Sequence, residues 1–266
     1  MNKFNQTTSI LTAGLLLSAL TAQAQLTWDP DSGLDNNGGA GTWSTSISNW
    51  WDGATSDEVW TDGEDAIFGS GTYQVDLDST GVTVGDLTYG GGGVLTFKGS
   101  SLSGSAGDTI TIATGTGGAT WDTGGGEIEF FNDGNNNNTR LAMTSGDTLT
   151  VNGGGTFDTG QNPQNNAFGT WDVAGATLDV TGATVVRGHA GSIGLFDTVK
   201  LGAGSTFVHE RNANQTYAND WELGGGTITF SNRFGGNGNI TVNGSISGNA
   251  DELVVDMGGA GRILNL

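Results

Sequence analysis

The sequence predicts an all-β protein, built as a right-handed parallel β-helix (a β-solenoid) with an N-terminal cap. Glycine supplies 49 of the 266 residues. Because glycine costs about 1 kcal/mol at an interior helix position, long helices are disfavoured. Short runs of alternating apolar and polar residues recur about every ten residues, which is typical of half-buried strands. In addition, three sequence blocks repeat at an interval of fifty residues.

The main repeated block joins a tryptophan and an acidic residue to a glycine and a strand-like alternation. It occurs at residues 121–130, 171–180 and 221–230. Two shorter blocks keep the same interval, residues 147–151 with 197–201 and residues 156–157 with 206–207. A β-sandwich gives no reason for such a period, whereas similar coils stacked on one another do. We therefore expect two coils of about twenty-five residues per repeat, three short strands per coil, and Trp121, Trp171 and Trp221 stacked at one position.

Residues 1–24 have the pattern of a secretory signal peptide. Lys3 gives the positive start, residues 10–20 form a short apolar run, and Ala22-Gln23-Ala24 is a small-x-small cleavage site. The apolar run is too short to cross a bilayer, which takes about 20 residues. The alternative is an uncleaved hydrophobic N-terminus. The pattern favours export to the outer cell surface or the medium, with a mature chain that does not insert into membranes.

Residues 25–71 are predicted to form an acidic, tryptophan-rich N-terminal cap. The segment holds five of the eight tryptophans and carries no lysine or arginine. The five are Trp28, Trp43, Trp50, Trp51 and Trp60. Large aromatic side chains can close the end of a narrow core, and natural proteins cover or charge the open edge of a stack of strands. Residues 72–266 are predicted to be the β-solenoid repeat domain.

The composition limits the classes of partner. The formal net charge is −20, which argues against nucleic acid and against anionic lipid surfaces. The absence of cysteine excludes a thiol nucleophile and a cysteine-based metal centre. Extracellular glycans or other surface components remain as partners. The protein is expected to be a monomer or a part of a longer surface assembly.

Several runs of residues resemble a bacterial family. Near the start these are Leu-Thr-Trp-Asp at 26–29, Gly-Thr-Trp-Ser at 41–44, Asn-Trp-Trp-Asp at 49–52 and Asp-Ala-Ile-Phe-Gly at 65–69. They resemble the beginning of secreted autotransporter-associated β-strand repeat proteins, and residues 224–230 and 238–248 resemble the repeat units of that family. The resemblance implies a β-helical, passenger-like extracellular protein with a structural or adhesin-type role. It implies no catalytic, cofactor-binding or metal-binding residues.

The most specific enzymatic hypothesis concerns two histidines. His189 and His209 are twenty residues apart, close to one coil, and lie near Glu210, Arg187 and Arg211. Such a cluster could abstract a proton beside a sugar carboxylate, because histidine titrates near neutral pH. The hypothesis suits the predicted fold, since parallel β-helices include enzymes that cleave polyuronates. The preferred interpretation is that both histidines are solvent-facing corner residues and that Glu210 pairs with an arginine. The negative charge of the chain would also repel an anionic polymer.

The remaining motifs favour structural roles. Acidic residues are so abundant that no particular pair points to glycoside hydrolysis. Residues 29–35 offer oxygen ligands for a weak calcium site but lack the EF-hand pattern. The glycines at 90–93 are predicted turns, and Trp50-Trp51 is predicted to fill the core or cap instead of forming a sugar-stacking platform. The sequence therefore predicts a non-enzymatic protein without cofactors, and the alternative is a carbohydrate-binding or polysaccharide-cleaving β-helix.

Overall fold

The computed structural model describes the chain in twelve segments. These are residues 24–31, 38–54, 56–78, 80–99, 109–113, 117–131, 139–160, 171–182, 184–210, 213–232, 239–257 and 263–265. The described residues form β-strands and one short 3₁₀ turn, Ile193–Leu195. In the described part of the chain no helix has the length and apolar character needed to cross a membrane. Of the predicted signal peptide, only residue 24 lies within the described residues.

The strands, in chain order, are β1 (Gln25–Trp28), β2 (Gly41–Trp43), β3 (Ser48–Trp51), β4 (Asp57–Val59), β5 (Asp65–Phe68), β6 (Tyr73–Leu77), β7 (Val82–Val84), β8 (Leu87–Tyr89), β9 (Val94–Lys98), β10 (Thr109–Ile112), β11 (Gly118–Asp122), β12 (Glu127–Phe130), β13 (Arg140–Ala142), β14 (Thr148–Asn152), β15 (Thr156–Asp158), β16 (Thr177–Val180), β17 (Val185–Gly188), β18 (Thr198–Leu201), β19 (Thr206–His209), β20 (Gln215–Tyr217), β21 (Asp220–Leu223), β22 (Thr227–Asn232), β23 (Ile240–Val242), β24 (Ile246–Gly248), β25 (Glu252–Asp256) and β26 (Leu264–Asn265).

From β5 onward, consecutive strands belong to different sheets, as a solenoid requires. Sheet 1 has 11 strands in the order β24-β21-β18-β16-β14-β11-β8-β5-β1-β3-β4, and sheet 2 has nine in the order β2-β6-β9-β12-β15-β17-β19-β22-β25. The third side consists of two three-stranded sheets, β7-β10-β13 and β20-β23-β26. Within sheet 1, only the pairs β1–β3 and β3–β4 are antiparallel. The predicted β-solenoid is confirmed, and its right-handed sense stays a prediction.

The alternation in the sequence places every second side chain in the shared core. In sheet 2 one core column runs through successive coils in strict register, as Leu95, Ile128, Phe157, Val186, Phe207 and Phe230. All six are buried. Burial of one such side chain contributes about 1.5–3 kcal/mol. Since the chain has no cysteine, these apolar columns and the parallel ladders supply the stability.

The coils differ in length while the register is kept. One coil advances 21 residues, from Ala66 to its partner Leu87, and the next advances 34, from Leu87 to Trp121. Following the same column from Ala66 to Gly248, seven coils average 26 residues. The predicted mean of about twenty-five is therefore close, but the coils are not uniform.

The fifty-residue interval is a two-coil interval for the shorter blocks. Leu149 pairs with Leu178, which pairs with Val199 one coil further along sheet 1. In sheet 2, Phe157 reaches Phe207 in two coils through Val186. For these blocks the prediction of two coils per repeat is confirmed.

The predicted stack of three tryptophans is wrong. Trp121 and Trp221 lie on β11 and β21 of sheet 1, but Trp171 lies on the third side, where its neighbour Asp172 bridges to β13. Trp121 and Trp221 do not share a column of paired residues either. The pairing that starts at Trp121 reaches Leu223 on β21, two residues beyond Trp221. The block encodes a strand, a corner and a second strand. It occurs at two different corners, from sheet 1 to sheet 2 and from the third side to sheet 1, so the block does not fix a side.

Tryptophans fill the core at the N-terminal end. Trp28, Trp43, Trp50 and Trp60 are buried, with neighbouring ring centroids 4.5–5.1 Å apart. The rings of Trp28, Trp43 and Trp50 also contact Phe68 of the first full coil, which joins the aromatic group to the main core. This packing agrees with the predicted closure by large aromatics, and the domain boundary at residue 71 stays a prediction.

Candidate functional site

Four charged residues meet on the outer side of sheet 2. Glu127 lies on β12, Asp158 on β15, Arg187 on β17, and Glu210 follows β19 directly. These are consecutive strands of the sheet. Because the residues before Asp158 and Arg187 fill the core column, these two side chains point away from the core. We call this group the carboxylate–arginine cluster.

The guanidinium of Arg187 is shared by three carboxylates. Its Nη1 lies 3.3 Å from Glu127 Oε2 and 3.7 Å from Asp158 Oδ2, and its Nε lies 3.8 Å from Glu210 Oε1. The side chains of Asp158 and Glu210 are fully buried, while Arg187 and Glu127 are 25% and 24% exposed. One cation therefore faces three acids, two of which have lost their hydration.

The environment of Asp158 favours its protonated form. Burial is the main cause and the nearby Glu210 is the next, and together they raise the pKa of Asp158 to about 7. The Gly160 N–H, which donates to Oδ1 at 2.9 Å, and the charge of Arg187 oppose this rise. A carboxyl group that titrates near neutrality is a common feature of active sites. A general acid must, however, reach its substrate, and neither Asp158 nor Glu210 has exposed side-chain surface.

The two predicted histidines lie on adjacent coils, as the twenty-residue spacing indicated. His209 pairs with Gly188, the residue that precedes His189. The expectation that they face solvent is wrong, because their exposed fractions are 2% for His189 and 0% for His209. The physical reason is the strand alternation, which turns His209 into the core on the same side as Phe207.

Both imidazoles are held by hydrogen bonds inside the protein. His209 Nδ1 lies 2.9 Å from the hydroxyl of Tyr217 and its Nε2 lies 3.3 Å from the carbonyl oxygen of Ala213. His189 Nδ1 accepts a hydrogen bond of 2.9 Å from the Gly191 N–H. A buried polar group needs such partners, so these contacts are those of structural core residues. The predicted pairing of Glu210 with an arginine is confirmed at Arg187, and Arg211 lies outside the described residues.

Glu127, Asp158 and Tyr217 were not singled out in the sequence. The sequence did contain a signal for Asp158. It occupies the outward position on its strand that Arg187 occupies on the strand one coil further along. Using it required the 29-residue length of that particular coil, from Asp158 to Arg187. The mean coil length alone does not align the two residues.

The tryptophan pair is consistent with core filling. Trp50 is fully buried among Trp28, Trp43 and Trp60, and Trp51 is half-buried on the opposite side of β3. Trp50 therefore presents no ring face to a sugar.

Two further predictions concern loops. The glycines at 90–93 connect β8 to β9, so the predicted turn is confirmed. For the predicted calcium site, Asp29 is buried, and residues 32–35 lie outside the described residues. Within the described segments, no three histidine or acidic residues come together as metal ligands. The weak calcium site stays a prediction.

Comparison with known proteins finds one relative of interest. Over 264 aligned residues the chain is 26% identical to a protein of Brucella suis biovar 1 (strain 1330) named Adhesin BmaC autotransporter. The alignment covers 91% of this chain but only 8% of that protein. No family model matches the chain, and no solved structure matches it. By sequence the chain is thus similar to one short part of an autotransporter adhesin, and by structure it is a parallel β-solenoid.

Proposed function

We propose that this chain is a secreted or surface-exposed β-solenoid with a structural, adhesin-type role and no catalytic activity. One observation carries the proposal. A continuous parallel stack of coils makes up a chain that is similar, over 91% of its length, to part of an autotransporter adhesin. A stack of this kind gives a stiff, extended body with long flat faces, which suits a spacer or a contact surface.

The burial of the ionisable groups supports the absence of catalysis. Asp158, Glu210 and both histidines are the groups best suited to proton transfer, and all four side chains are buried. Asp158 and Glu210 contact Arg187, His209 contacts Tyr217, and His189 accepts a hydrogen bond from the Gly191 N–H. A polysaccharide lying on the surface would not reach them.

The outward face of sheet 1 supports a contact role. One outward column runs through Thr120, Thr150, Asp179, Lys200 and Glu222 in register. Lys200 and Glu222 form an ion pair of 3.1 Å beside a shallow depression of about 250 Å³. Hydroxyl and charged groups in a regular array can hydrogen-bond neutral glycans. The net charge of −20 disfavours acidic polymers as ligands.

The location of the protein can be tested directly. If residues 1–24 are a signal peptide, export by a bacterial host yields a protein whose N-terminal residue is Gln25. N-terminal sequencing of the exported chain checks this. A chain that stays inside the cell with Met1 intact contradicts the proposed location.

Binding and turnover are tested with residues 25–266. We expect retention on a subset of a neutral-glycan array, and no release of new reducing ends from any polysaccharide. Thr150→Glu on sheet 1 and Thr206→Glu on sheet 2 are matched variants, since both positions are outward and half-buried. Loss of binding in one variant identifies the contact face. Polysaccharide cleavage that Asp158→Asn abolishes would overturn the non-catalytic role and favour the carbohydrate-cleaving alternative.

A further inference from the structure

The carboxylate–arginine cluster ties together four successive coils. Glu127, Asp158, Arg187 and Glu210 come from neighbouring strands of sheet 2, and every contact within the cluster crosses from one coil to another. The backbone is joined at the same place. The carbonyl oxygen of Arg187 accepts hydrogen bonds from the Thr159 N–H at 3.0 Å and from the Thr159 hydroxyl at 3.0 Å. A change of charge in the cluster therefore acts on the register of several coils.

The cluster carries more negative than positive charge. With all groups ionised, three carboxylates face one guanidinium, and two of those carboxylates are fully buried. Buried like charges raise each other's free energy, because little water is present to screen them. A single proton on Asp158 removes one of the two buried negative charges and turns its carboxyl group into a hydrogen-bond donor.

The charged groups around Asp158 come from the two strands that flank β15, which are β12 and β17, and from the chain that follows β19. β12 contributes Glu127 and, directly opposite in register, Glu129, whose Oε2 accepts a hydrogen bond from Thr96. β17 contributes Arg187, and the chain after β19 contributes Glu210. The histidines of the neighbouring corner, His189 and His209, are buried close by on the same two coils. Among the described residues, Arg187 is the only cation whose charge affects the pKa of Asp158.

We propose that this cluster is a pH-sensitive contact that holds β15, β17 and the strand end at Glu210 together while Asp158 is protonated, and that loosens them when the proton is lost. Burial and Glu210 raise the pKa of Asp158 to about 7, far above its ordinary value. The stabilisation by the bound proton is full below that ordinary value and declines as the pH rises. It is gone once the pH has passed about 7. Mild acid tightens this part of the solenoid, and mild alkali opens it.

The structure locates the opening. The Thr159 hydroxyl lies 2.7 Å from the Ser192 hydroxyl, which links β15 to the corner that contains the 3₁₀ turn. The N–H of Glu210 donates to the carbonyl oxygen of Gly188 at 3.0 Å. Amide protons of residues 156–160, 185–189 and 206–210 are therefore the ones expected to lose protection first.

The test measures hydrogen exchange of residues 25–266 between pH 5.5 and 8.5, corrected for the intrinsic pH dependence of exchange. For a carboxyl that titrates near 7 when folded and near 4 when open, the opening constant rises on the order of 30-fold over this range. Asp158→Asn introduces a side chain that is neutral at every pH. It is therefore expected to remove this rise in the peptides that cover residues 156–160, 185–189 and 206–210. Asp197→Asn removes an exposed carboxylate and serves as the matched control, so its profile is expected to follow the wild type.

A second variant keeps the proposal testable if Asp158→Asn does not fold. Glu210→Gln removes the neighbouring charge that helps to raise the pKa of Asp158 in the folded protein. The rise in exchange is therefore expected to level off at a lower pH and to be smaller between pH 5.5 and 8.5. The proposal is overturned if the wild-type protection of these peptides is independent of pH. It is also overturned if Asp158→Asn keeps the wild-type pH profile, or if Glu210→Gln leaves unchanged both the size of the rise and the pH at which it levels off.

Discussion

Two adjacent glycines at the corner between β8 and β9 allow a controlled test of how tightly the coils stack. Gly91 and Gly92 have nearly equal left-handed backbone angles, with φ of 75° and 74°. Their surroundings differ. A Cβ atom on Gly91 would overlap the carbonyl oxygen of Gly124 on the next coil, with the carbonyl carbon 2.9 Å away, whereas a Cβ atom on Gly92 would meet nothing within 4 Å.

The two substitutions to alanine share one cost and differ in another. Each forces an L-residue into the left-handed region, which costs about 1–2 kcal/mol, partly offset by the lower entropy of the unfolded chain. Gly91→Ala must also displace the backbone of the next coil, and overpacking of this kind costs about 1–3 kcal/mol more. We expect Gly92→Ala to lower the free energy of unfolding by about 1 kcal/mol and Gly91→Ala by about 2–4 kcal/mol.

The assay is guanidinium unfolding of residues 25–266, followed by tryptophan fluorescence and by far-ultraviolet circular dichroism. The difference between the two variants is the quantity of interest, because the shared backbone strain cancels in it. Equal unfolding midpoints for Gly91→Ala and Gly92→Ala, or a lower midpoint for Gly92→Ala, would show that the corner backbones are not in the close contact described.

Three other substitutions test the core, the buried hydrogen bond and the surface pair. Trp43→Ala removes a fully buried ring that contacts four neighbours at the N-terminal end, so a loss of about 3–5 kcal/mol is expected in the same unfolding assay; a loss under 1 kcal/mol would contradict the packing. Tyr217→Phe leaves His209 without its hydroxyl partner and is expected to cost about 1–3 kcal/mol, whereas no change in midpoint would mean that the contact contributes nothing. Lys200→Ala breaks an exposed ion pair with Glu222 and is expected to cost less than about 1 kcal/mol, with the effect vanishing at high salt; a larger, salt-independent loss would argue against a surface pair.

The alternation of residue types, together with the fifty-residue interval, was enough to predict the architecture. Leu149 and Val199 could be placed on one sheet two coils apart, because each lies in an alternating run and the interval is fifty residues. The side of the solenoid could not be predicted for Trp171, because the local block specifies only a corner and the strands around it. Assigning a side requires the length of every earlier coil.

The same limit applied to the candidate site. The sequence predicted that Glu210 pairs with an arginine without saying which one, and the structure joins it to Arg187 at 3.8 Å. Asp158 could not be brought to Arg187, since the intervening coil is longer than the mean. The burial of His209 was accessible in principle. Strand parity with Phe207 turns it inward, but a histidine near a predicted corner was assumed to face water.

The unequal coils have a consequence for how such a rod can change. The step from Leu87 to Trp121 contains 13 more residues than the step from Ala66 to Leu87, yet both end in register with their neighbours. A coil can therefore be longer without losing the register of its strands, and doubling the length of a flexible loop adds only about 0.6 kcal/mol of closure entropy. A rod of this kind can therefore gain or lose surface decorations, one corner at a time, while its axis and inner columns stay intact.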